Sequence, residues 1–230
     1  MVETQVEQSP LLQKRSEAPM LEVALVITAT FLLTAVLGAV VLLTLGTAAA
    51  LIVGELIILL VPLGYLLAKR INIKSYIGVN LNLRNVTIGL TFGVVLLFLN
   101  IVVSEALTVV FGVSQAVEES NALLANLSTS TVGFIAVASS LLLAGFCEEF
   151  AFRGFLQNAL ARKYSFVPAL VLSSLVFGLF HFDPQVVYIL AAMSSGLVLG
   201  YINYRWSYVA AATAHSTMNL IVLWILVAGI

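Results

Sequence analysis

The chain has 230 residues, of which 61% are hydrophobic and only 9% charged, and its mean hydropathy is +1.12. Soluble domains carry roughly 25% charged residues, so this composition excludes an ordinary soluble fold and makes lipid the solvent. A net charge of −1 gives no electrostatic ground for a nucleic-acid partner, and the single cysteine, Cys147, excludes an internal disulfide and reads as a small buried apolar side chain.

Residues 1–19 are polar and mixed in charge and read as a cytoplasmic tail. The apolar run that follows, 20–45, is too long for the 7–15-residue core of a cleaved signal peptide and reads as a retained first span. A helix needs about 20 apolar residues to cross the hydrocarbon. By that measure the candidate spans are 20–45, 48–68, 86–112, 130–152, 166–182, 185–203 and 207–229, the fifth being short. Runs of this length exclude barrel strands. The expectation is an all-α, polytopic membrane helical bundle of about seven or eight transmembrane helices, a single domain over 20–230 with its motif-bearing core at about 130–220. The connection 71–85 suits the cytoplasmic headgroups, and 114–129 reads as an amphipathic stretch on the other face.

Basic residues orient these spans. Lys14 and Arg15 precede span one; Lys69, Arg70, Lys74 and Arg84 lie between spans two and three; Arg153, Arg162 and Lys163 follow span four; Arg205 lies between six and seven. The alternate connections contain neither Lys nor Arg. By the positive-inside rule an integral membrane protein with a cytoplasmic N-terminus and an external C-terminus follows.

Ionisable groups inside a membrane are expensive and are functional candidates by default. Glu55 and Glu105 lie towards the outer ends of spans two and three and are expected to reach the interface. Asp183 precedes Pro184 and suits a turn or cap. The fourth span differs, because SLLLAGFCEEFAFRGF places Glu148 and Glu149 directly after an apolar run. Adjacent helical residues point about 100° apart, so the two should occupy different environments. Glu149 and Arg153 are four residues apart on one face, in the favourable order for an ion pair. That pairing makes Glu149 a brace and leaves Glu148 as the candidate general base.

Both histidines lie in late spans, His181 in LVFGLFHFD and His215 in AAATAHSTMNL, with Asn219 one turn beyond His215 on the same face. Spans four and five form a hairpin in which Glu148 and His181 are equidistant from the turn near Tyr164, each about 25 Å along its helix. They should therefore face each other. His215 is only about 15 Å from the cytoplasmic end of its span, a difference that tilt or a projecting fourth helix would close.

Three patterns now stand together. EEFAFRG, from Glu148 to Gly154, resembles the EExxxR motif of the CAAX-protease and bacteriocin-processing family. FGLFH, from Phe177 to His181, and HSTMN, from His215 to Asn219, are similar to its FxxxH and HxxxN motifs, in the same order. The resemblance covers about residues 130–220. It implies a glutamate-dependent intramembrane endopeptidase similar to the type II CAAX prenyl endopeptidases, which remove the last three residues of prenylated proteins. Carried over, Glu148 and His181 would activate water, and His215 and Asn219 would stabilise the oxyanion, with Glu149 and Arg153 in support. The implied substrate is a peptide or lipidated protein C-terminus, and no cofactor or metal is implied.

Three other readings compete. A zinc protease is disfavoured by the absence of HExxH and the scatter of its candidate ligands. A non-catalytic or processing membrane protein, such as one in bacteriocin self-immunity, would use the polar cluster for packing. A proton-coupled transporter would be expected to carry broken helices in matching halves, and none are visible.

Overall fold

The computed structural model describes residues 18–229. The predicted polar tail, with Lys14 and Arg15, therefore lies outside the described residues apart from Ala18 and Pro19. The elements run α1 (Met20–Leu45), α2 (Thr47–Ala68), α3 (Ile73–Ile77), α4 (Leu83–Phe111), α5 (Gln115–Leu127), α6 (Thr131–Glu149), α7 (Asn158–Lys163), α8 (Phe166–Phe180), α9 (Val187–Arg205) and α10 (Tyr208–Ala228). A π-helical stretch, Phe150–Gln157, joins α6 to α7 without a break. Among the described residues six helices are long and apolar enough to cross a membrane, and the chain forms a polytopic helical bundle.

The fifth predicted span, 166–182, is shorter still than expected. α8 has 15 residues, which at 1.5 Å each cover about 22 Å, less than the roughly 30 Å of a hydrocarbon core. The cause is local. His181 leaves the helix at φ −91° and ψ 60°, and the turn that follows is organised by Asp183. Its Oδ1 accepts the Gln185 N–H at 3.1 Å and its Oδ2 the Tyr188 N–H at 2.8 Å. Asp183 thus caps α9, as its place before Pro184 suggested, and the expected two-residue connection becomes the segment 181–186.

The fourth span is longer than expected. Instead of ending near residue 152 it stays helical from Thr131 to Lys163, 33 residues, or about 50 Å. Its far end therefore extends beyond the hydrocarbon, and α3 packs against it there. Asn158 Nδ2 donates to the carbonyls of Tyr76 at 3.1 Å and Ile77 at 3.3 Å, while the Arg162 guanidinium donates to Tyr76 O at 2.9 Å and lies 3.8 Å above the Tyr76 ring. α3 is a single turn capped by the Asn72 side chain and closed by Gly78 at φ 76°, a left-handed value suited to glycine. At the other end α5 is capped by Ser114 and forms the expected amphipathic stretch.

α10 packs on α4, α6 and α9, and α2 packs on α1 and α6. Lipid supplies no hydrophobic drive between helices, so close backbone approach through small residues takes its place. Gly145 is the clearest instance: a Cβ there would run into Ser216 Oγ and lie within 2.9 Å of the Ala212 carbonyl. The approach brings Ser216 Oγ to Leu142 O at 2.9 Å and fixes the height of α10 against α6.

Candidate active site

Glu149 and Arg153 form the ion pair that their spacing predicts, Nε to Oε2 3.1 Å, and both are completely buried. The guanidinium also donates to Gly196 O at 3.3 Å and lies 4.2 Å above the Phe177 ring. Arg153 sits inside the π-helical stretch, a rare geometry that is frequent at functional sites. No periodicity in FAFRGFLQ distinguishes it from an α-helix, so the sequence gives no warning of it.

Two expectations about the glutamates change. Glu149 is not satisfied within its own helix, because its other oxygen, Oε1, accepts from His215 Nδ1 at 3.0 Å. Nor do the two acids have separate surroundings. His215 Nε2 lies 3.9 Å from Glu148 Oε2, so a single imidazole on α10 faces both. The 100° divergence of adjacent helical residues holds, but His215 sits over the gap and presents a different nitrogen to each acid. Glu149 is sealed, whereas the Glu148 side chain keeps 13% exposure.

That exposure opens on a cavity of about 510 Å³. Glu148, His181, His215 and Asn219 all line it. Glu148 and His181 therefore meet on one cavity, as their equal distances from the hairpin turn require. The offset of His215 is absorbed by the fourth helix, whose far end projects past the start of α10 towards α3. His181 Nδ1 lies 2.9 Å from Phe177 O. A carbonyl can only accept, so Nδ1 carries a hydrogen, and in the neutral imidazole the lone pair is then on Nε2. The Phe177 ring packs against His181 and edge-on against His215, at centroid distances of 4.7 and 5.9 Å, and so holds both imidazoles as well as Arg153. Asn219 donates one Nδ2 hydrogen to Leu141 O at 3.2 Å, leaving the other unused by that bond.

Sequence reasoning missed Glu55. It was expected at the interface, yet it lines the cavity on the α2 side, with its Oε2 buried and without a hydrogen-bond partner among the described residues. The signal was only its presence in an apolar helix, since nothing in GELIILL indicates which neighbour it faces. Asn100 also reaches the cavity, donating to Ser195 Oγ at 3.1 Å. Glu105 is exposed, and Cys147 is buried and free. Among the described residues no three His, Cys, Asp or Glu side chains are grouped as ligands of one metal ion.

No curated protein and no solved structure matches the chain. A family model does match over residues 129–221, that of the Rce1-like family, described as type II CAAX prenyl endopeptidase Rce1-like. The matched stretch begins just before α6 and ends just after Asn219, so it holds Glu148, Glu149, Arg153, His181 and His215 as well. The helices that place these side chains, from α6 to most of α10, are thus the part of the chain that is similar to the Rce1-like, type II CAAX prenyl endopeptidase family.

Proposed function

We propose that the chain is an intramembrane endopeptidase of glutamic type, in which Glu148 and His181 activate water for attack on a peptide carbonyl. The observation that carries this reading is the division of labour around His215. One acid, Glu149, is buried and spent on Arg153 and Nδ1, while its neighbour Glu148 faces a cavity shared with His181. Glu148 takes a proton from water as its oxygen bonds to the carbonyl carbon, with His181 Nε2 as a second acceptor for the water. The negative charge that develops on the carbonyl oxygen is met by Asn219 Nδ2 and by His215 Nε2 when it carries a proton. When the C–N bond breaks, Glu148 returns its proton to the leaving amine. Nothing in this cycle requires a metal.

The family supports a peptide or prenylated protein C-terminus as substrate, and the apolar lining, including Leu51, Ile58, Phe152 and Phe180, suits a lipidated or transmembrane segment. The cytoplasmic N-terminus read from the basic residues belongs to the same proposal. The test is cleavage of a quenched farnesylated CAAX peptide by purified protein beside Glu148→Gln, with a chelator arm and a non-prenylated control. Turnover is expected in the wild type, unchanged by chelator. Equal rates for the wild type and the variant would remove Glu148 from the chemistry; loss of turnover in chelator would return the metalloprotease reading.

A further inference from the structure

The cavity is short of positive charge. Two carboxylate oxygens at it, Glu55 Oε2 and Glu148 Oε2, are buried without hydrogen-bond partners among the described residues. Among the described residues no Lys or Arg lines it, and Arg153 is sealed behind Glu149. A buried carboxylate without a partner is strongly disfavoured in surroundings this apolar. The proposed chemistry occupies Glu148 but gives Glu55 no task, and α2 lies outside the family-matched stretch.

The surroundings of the cavity carry the same sign. It adjoins a second cavity of about 320 Å³, the two sharing Asn100, Leu124, Tyr188 and Asn219 among their walls, and the second reaches Glu118 on α5. The connections at the α5 end of the bundle carry Glu118, Glu119 and Asp183 and neither Lys nor Arg. A peptide approaching past these connections meets negative charge, which favours the encounter of a basic segment and disfavours an acidic one.

We propose that Glu55 is a specificity residue of the peptidase site, pairing with the Lys or Arg side chain of a peptide that enters from the α5 end. This rests on the peptidase reading above, and it adds the substrate's charge. A Gln in the substrate at that point leaves the Glu55 carboxylate without its ion pair, and a Glu opposes it directly.

The test uses the purified full-length protein and three dansyl-labelled, farnesylated CAAX peptides that differ only in a Lys, Gln or Glu upstream of the farnesylated Cys. Binding is followed by fluorescence and cleavage by chromatography of the same samples. The wild type is expected to bind the Lys peptide about tenfold or more tightly than the Gln peptide, with the Glu peptide weakest. Glu55→Gln should bring the Lys and Gln peptides to similar affinity, while Glu55→Asp keeps the preference. Equal affinities in the wild type, or a preference that survives in Glu55→Gln, would overturn the proposal. Lys-selective binding without cleavage would instead count against the peptidase reading and leave the charge selection intact.

Discussion

The two halves of the long helix from Thr131 to Lys163 are built on opposite principles. Towards α3 the polar side chains are buried and partnered: Arg153 on Glu149 and Gly196 O, Gln157 on Gly200 O at 3.0 Å, Asn158 on the carbonyls of α3. Towards α5 the helix borders a cavity, and its polar groups keep unused capacity, Glu148 above all. The boundary between the halves falls between two adjacent residues of one type. Glu148 and Glu149 share chemistry and neighbourhood; what separates them is whether the helix face on which each lies has been filled by another helix. In lipid an unfilled face can hold polar groups only if it borders a cavity or pocket, which is why the open half is where chemistry can happen.

That contrast can be broken from either side. The largest effect is expected for Glu148→Gln, which should lower turnover by about 10²–10⁴-fold, the range for loss of a general base, with an unchanged melting temperature in detergent. Arg153→Met should do the reverse at first order, since it strands the buried Glu149 carboxylate; about 3–5 kcal/mol of stability should be lost and appear as a lower melting temperature. Adding Glu149→Leu should recover much of that stability, because removing both charges removes the uncompensated one. Turnover should fall in the double variant, as His215 loses its Glu149 anchor, and a double variant with both stability and turnover intact would show that the pair only supports the fold. Asn219→Ala should reduce kcat by about 10²–10³-fold with little change in KM, if its free N–H serves the oxyanion. The smallest effect belongs to the closed half: Asn158→Leu gives up its bonds to α3 and should cost about 1–3 kcal/mol of stability while kcat is retained.

Local relations were legible in the sequence for a physical reason. Hydropathy reports on solvent, so lipid and the long helices could be read directly, with several bounds recovered to within a few residues. The Glu149–Arg153 pair and the Asp183 cap depend on spacings within one element or turn, and both are present. The three motifs pointed to the family that residues 129–221 match. Only tertiary structure decided the rest. Apolar helices in lipid are hydrophobic all round, so periodicity does not say which face meets which neighbour. For that reason Glu55 could not be assigned to the cavity, nor His215 to the gap between two acids, until small residues such as Gly145 had set how closely α10 approaches α6. The π-helical turn after Glu149 was equally illegible, since nothing in FAFRGFLQ departs from an α-helical pattern, whereas the early end of α8 follows from the local turn that Asp183 organises.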